Sequence, residues 1–192
     1  MTRRPQGYRG TNHETIGSDL LSVLKVLPFP ERVLGPELTR QLQAVKPDGW
    51  YPIGDLLEVM EKLEKAIGKP GLKQMGRSIF QLSHAADVKK MAKSAADILL
   101  NFDMLYRRAN RGADIGGWAV VEFKPGRARL EKTTPHHCAM EEGIILEALW
   151  AVEIPALVSQ KRCFRSGDVL CEYEVTSVVS GERWMGGHPP IG

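Results

Sequence analysis

The first two-thirds of the chain carries apolar residues at helical spacing, separated by proline and glycine punctuation. Leu20, Leu21, Leu24 and Leu27 share one side of a helix over residues 17–27, with Ser18 or Asp19 available as a cap and Pro28 and Pro30 ending the run. Pro36 suits a first helical turn, so a second helix is expected over 36–45, before the turn at Lys46-Pro47-Asp48-Gly49. A third, over 53–67, puts Leu56, Leu57, Met60, Leu63 and Ile67 on one face and glutamates and lysines on the other. Gly68-Lys69-Pro70-Gly71 stops it, and a fourth follows over 72–83, where Gly76 permits close approach of a neighbour. The fifth spans 85–107 with a break near Lys93-Ser94.

After Gly117 the period changes to that of strands. Residues 118–123 are β-branched and aromatic, Lys124-Pro125-Gly126-Arg127 is a turn, and 128–133 returns as a second strand. A helix over 139–152 follows, then a second hairpin of 157–164 and 169–177 around Arg165-Ser166-Gly167-Asp168. The order predicts an α+β fold, an N-terminal helical layer packed on an antiparallel sheet made of two hairpins separated by a helix. The expected layout is a flexible tail over 1–15, N-terminal helices over 16–49, a main domain over 50–178 and a flexible C-terminal tail over 179–192, in which Trp184 either docks or stays free.

Composition narrows the function classes. A net charge of +3, part of it on Arg3, Arg4 and Arg9 near the terminus, is too small for a nucleic-acid surface. No apolar run approaches the roughly 20 residues of a membrane span, and no signal-peptide apolar region is present, so a cytoplasmic location is expected. There is no Gly-rich phosphate loop, no Gly-x-Ser-x-Gly elbow and no His-Glu-x-x-His, and no catalytic residue is nominated. Glu141 and Glu142 read as a solvated helix face, and His136 and His137 as exposed loop residues.

The cysteines carry the most chemistry. Cys163 and Cys171 flank the second turn, and a ladder centred on Gly167 sets them opposite each other with β-carbons roughly 4.5–5.5 Å apart. Cys138 precedes a helix, whose N-terminal N–H groups favour a thiolate. Three readings stand: a structural zinc, three reduced buried thiols, or a Cys163–Cys171 disulfide. His136, His137, Glu141 and Glu142 are the further donors within reach of Cys138. Met60, Met75, Phe80, Phe102 and Trp150 are candidates to line a common cavity, or simply to form core.

The Cys-x7-Cys hairpin with Gly167-Asp168 inside it, the upstream Cys138, the pair Glu142-Gly143 and the start of the third helix resemble the 4-vinyl-reductase-type sensor domain, over roughly residues 50–178. That family includes the aromatic-sensing input domains of bacterial activators, and its fold is related to haem-nitric-oxide-binding domains and trafficking-complex subunits. The resemblance implies zinc ligation by Cys138, Cys163 and Cys171, with Gln160 at the position where metal-binding members have a glutamate, and with His137 as a substitute donor. It further implies a ligand pocket in which His84 and Trp118 hold the polar group of an apolar or aromatic small molecule, with Phe80, Phe102 and Trp150 around it. The expected function is a small-molecule-binding sensor or regulatory module, homodimeric through its N-terminal helices and acting on a separate effector protein. A tetrapyrrole-handling accessory or reductase-like protein and a purely structural interaction subunit are the alternatives. Haem is not expected, because the signature of haem-binding members is not recognisable.

Overall fold

The computed structural model describes residues 12–192. The expected tail over 1–15 lies largely outside them; of its last residues, His13 is buried and Glu14 opens a strand.

The N-terminal part is a helical layer. Helices α1 (Gly17–Val26), α2 (Pro30–Leu34) and α3 (Pro36–Gln43) pack around the first half of the long helix α4 (Ile53–Ser83). Leu20, Val23, Leu34 and Leu42 join Leu56, Val59, Met60 and Leu63 in one apolar cluster. The N-terminal helices thus bury Leu20, Val23, Leu34 and Leu42 within the chain. At Gly68 the backbone of α4 turns to φ 66° and ψ 179°, outside the helical region, and Pro70 sits in the first turn of the resumed helix. The third and fourth helices of the sequence pattern are thus two halves of one broken rod.

The fifth predicted helix is three short ones. These are α5 (Ala85–Met91), α6 (Ala95–Leu99) and α7 (Phe102–Ala109). Ser94 and Asp97 form a reciprocal capping box that starts α6, which explains the break at Lys93-Ser94. A small sheet, β1 (Glu14–Ile16) between β2 (Trp50–Pro52) and β3 (Asn110–Arg111), ties the N-terminus to the end of α7. Its strands are two or three residues long and far apart in sequence, so no periodicity announces them.

The main sheet follows the expected hairpins. Strands β4 (Trp118–Lys124), β5 (Arg127–Lys132), β6 (Leu157–Arg162) and β7 (Cys171–Thr176) lie in the antiparallel order β4-β5-β7-β6. Cys171, Tyr173 and Val175 alternate inward along β7 and meet Phe123, Ala128 and Leu130. Helix α8 (Cys138–Ala151) runs between sheet and helical layer. It contributes Ile145, Ala148 and Leu149 to the sheet-side core and Ala139 and Met140 to the helix-side core.

The C-terminal segment is docked, against the expectation of a flexible tail over 179–192. Helix α9 (Glu182–Met185) inserts Trp184, fully buried, parallel to Phe123 at a centroid distance of 5.8 Å. Ile191 exchanges two backbone hydrogen bonds of 2.8 Å with Phe123, covering the β4 edge.

Two glycines permit the α4–α8 contact. A methyl group built on Gly76 would overlap the Met140 carbonyl oxygen, and one on Gly143 would overlap the Lys73 carbonyl oxygen. Alanine normally stabilises a helix interior by about 0.5–1 kcal/mol relative to glycine. Gly143→Ala should do the reverse here and destabilise the chain by about 1–3 kcal/mol, read by urea unfolding. A stability gain would show that the helices separate without cost.

Candidate functional site

A cavity of about 290 Å³ lies between the helical layer and α8, lined also by residues of α5, α7 and the start of β4. Phe80 and His84 reach it from the end of α4, Phe102 and Tyr106 from α7, and Trp118 from the first residue of β4. Phe102 meets Trp118 edge to face at 4.8 Å, and Trp118 tilts onto Tyr173 at 5.7 Å. The structure therefore brings together four of the five residues expected around a ligand: Trp118, His84, Phe80 and Phe102.

Trp150 is the exception and is corrected. It is 56% exposed and does not line the cavity, because one helical step of about 100° from buried Leu149 carries it outward. Met60 and Met75 pack in the core cluster around α4 and are not cavity lining either.

Polar groups that the sequence placed at the surface enclose the rest of the cavity. Glu141 and His136 are buried rather than solvated, and so is His137 beside them. Lys132, with no exposed side-chain surface, donates to the His136 carbonyl at 2.8 Å and lies 3.6 Å from Glu141. Thr134 donates to Glu141 at 3.0 Å. Burial raises the Glu141 pKa, and Lys132 and Thr134 oppose that rise. Asn110 donates through Nδ2 to the Tyr106 carbonyl, which leaves its Oδ1 to accept from His136 Nε2 at 3.1 Å.

On the opposite wall stands Asp19, in the first turn of α1. Its Oδ1 is enclosed with no hydrogen-bond partner among the described residues, and His84 Nε2 lies 3.9 Å away, beyond hydrogen-bond reach. Burial pushes the Asp19 carboxyl up to about 7 and pulls the His84 imidazole down, so the pair favours its neutral forms. The usual role of aspartate as a cap residue hid Asp19 in the sequence.

The three cysteines converge at the other end of α8. Cys138 Sγ lies 3.3 Å from Cys171 Sγ and 3.6 Å from Cys163 Sγ, and all three are free thiols within 4.8 Å of one another. The Cys171 thiol donates toward Cys138 and lowers the pKa of Cys138 while its own rises. Lys132 and the Gln160 amide add to the stabilisation of a Cys138 thiolate. His137, expected as a fourth donor, is turned to another task. Its Nδ1 accepts from Ala139 N–H as the cap of α8, and its Nε2 lies 3.1 Å from Glu64, which Arg165 also holds.

No family model and no curated protein sequence matches the chain. Solved structures do, with low identity. An H-NOX protein from S. oneidensis in the Fe(II) ligation state is 12% identical at a TM-score of 0.64, over 87% of this chain and 98% of that one. A Fe(II) unliganded H-NOX protein from K. algicida is 10% identical at 0.61, over 84% and 96%. A structure from work on haem distortion in the H-NOX family is 12% identical at 0.56, over 86% and 96%. The fold is that of the H-NOX domains, within the fold group expected from the sequence. The expectation that set haem aside is corrected: it rested on a missing sequence signature, and the fold neighbours are haem proteins. No helix among the described residues is long and apolar enough to cross a membrane.

The Asp19 environment makes stability depend on pH. With a folded pKa near 7 against an ordinary 3.8, the native chain keeps a proton that the unfolded chain has released, so stability falls as pH rises between those values. Asp19→Asn should melt higher than the native chain at pH 8, and the gap should close below pH 4. A gap independent of pH in thermal denaturation would remove burial of the charge as its cause.

Proposed function

We propose that the chain is a small-molecule-binding sensor or regulatory module whose ligand occupies the cavity between α4, α5, α7 and α8. The observation that carries this reading is the cavity itself: apolar and aromatic walls around a few buried polar groups, the composition of a recognition site rather than of a sealed core. Perturbed titratable groups at the same place add support. The module would act through a separate effector protein.

Haem enters as a candidate occupant through the H-NOX likeness. The donor chemistry fits: burial keeps His84 neutral, the form that ligates iron, and Arg108 on the rim suits a carboxylate. A porphyrin exceeds about 290 Å³, so its uptake would require the cavity to enlarge. When bound, haem would supply an iron centre for a diatomic ligand; the chain's own residues would orient the ring and exclude water. Titration with haemin should give a shifted Soret band that His84→Ala loses. For a smaller aromatic ligand, Trp118→Ala should weaken binding about fivefold or more without unfolding the chain. An absence of saturable binding for haemin and aromatic probes alike would overturn the sensor reading.

The cysteine cluster supports a structural zinc, the finer feature of the 4-vinyl-reductase-type resemblance. Tetrahedral zinc with Zn–S near 2.3 Å separates sulfurs by roughly 3.8 Å, close to the spacing here. Cys138, Cys163 and Cys171 would hold the ion, and Gln160, beside Cys138, is the neighbour for the fourth position. Its role would be to tie the second hairpin to α8. Cys163→Ser should lower the melting temperature more in zinc-replete protein than under chelator. Equal losses in both conditions would exclude the ion.

A further inference from the structure

The cavity wall carries an acceptor that the chain holds in place and does not use. Glu141 lines the cavity from α8 with a side chain only 6% exposed. Both of its contacts fall on one oxygen: Thr134 donates to Oε1 at 3.0 Å, and the Lys132 ammonium lies 3.6 Å from the same atom. Oε2 has no partner among the described residues, and with so little of the side chain reaching solvent, the cavity is where a partner would sit. Lys132 also lies 5.8 Å over the Trp118 ring, so the carboxyl stands beside the aromatic wall of Trp118 and Phe102. The donors around it are committed elsewhere: Lys132 to the His136 carbonyl, Tyr106 to the Ile115 carbonyl at 2.9 Å, and His136 Nε2 to Asn110.

Resting on the reading of the cavity as a ligand site, we infer that Glu141 determines its specificity, and that the ligand is a neutral heteroaromatic compound whose ring N–H donates to Glu141 Oε2 while the ring lies against Trp118 and Phe102. Lys132 already answers the carboxyl, so the ligand brings no positive charge, and an anion would meet Glu141 and Asp87. One free oxygen calls for one donor. A ring N–H donates without accepting, which matches a wall whose donors are spent; a hydroxyl oxygen there would lack one. Thr134 fixes the carboxyl, so a ring without the donor would leave a desolvated acceptor unpaired. A volume of about 290 Å³ suits a single ring or a fused pair.

Calorimetric titration of the whole chain at pH 8 with indole and with benzofuran, the same fused ring with an oxygen in place of the N–H, tests this. Indole should bind about tenfold tighter or better. Glu141→Gln turns its amide oxygen to Lys132 and leaves an NH2 at the cavity, so it should bring the two probes within about twofold while leaving the affinity for benzofuran unchanged. Thr134→Val keeps the Lys132–Glu141 pair, frees the carboxyl to rotate and should lower the indole preference about threefold; it decides the question where Glu141→Gln does not fold. Benzofuran binding as tight as indole, or an indole preference untouched by these substitutions, would overturn the assignment to Glu141 and leave the cavity reading standing. Failure of both probes beside saturable haemin binding would do the same. Failure of haemin as well would overturn that reading and this inference with it.

Discussion

The close crossing of α4 and α8 is the constraint on which the rest depends. Glycines at 76 and 143 let each helix lay backbone against the other's carbonyl oxygens, so α8 sinks between the helical layer and the sheet. A helix buried along most of its surface must be apolar there or have its polar groups partnered inside. α8 does both. Its glutamates face Lys132, Arg77 and Lys73 instead of solvent, at 3.6, 2.9 and 2.6 Å. The position of that helix fixes Cys138 at one end against the second hairpin and Glu141 one turn further on against the cavity.

Enclosure then divides the titratable groups by environment. Asp19 and Glu141 are both pushed toward their neutral forms by burial, but only Glu141 has an ammonium beside it. His84 is pulled the same way, toward the neutral imidazole. The result is a cavity lined by one acid beside an ammonium and one acid 3.9 Å from an imidazole.

The longer helices and both hairpins of the main sheet were legible in the sequence because each follows a local period, whereas α2 and the small sheet were not. The convergence of Cys138, Cys163 and Cys171 was legible too, though not through the expected ladder: β6 ends at Arg162, Cys163 stands in the turn rather than opposite Cys171, and both close contacts run through Cys138. What stayed hidden depends on contacts distant in the chain. Asp19 meets His84 across the helical layer, and His137 was drawn from the sulfurs to Glu64, on another helix. Trp150 was misplaced for a related reason: helical spacing gives the faces of α8 but not which one meets the sheet. Trp184 could not be settled from a Gly- and Pro-rich segment, whose docking rests on a single indole finding Phe123.

The cavity and the thiol cluster are joined across the sheet by one residue. In the main sheet Lys132 on β5 pairs with Trp118 on β4 and with Cys171 on β7, so three adjacent positions run from the aromatic wall to the sulfurs. Its ammonium lies 5.8 Å over the Trp118 ring, 3.6 Å from Glu141, and lowers the pKa of Cys138. A fully buried lysine persists only where nearby negative charge outweighs its desolvation. Here its neighbours on the two sides are the Glu141 carboxyl at 3.6 Å and the Cys138 thiol, whose pKa it lowers. Because the two sites share one counter-charge, the electrostatics of either are set in part by the ionisation of the other.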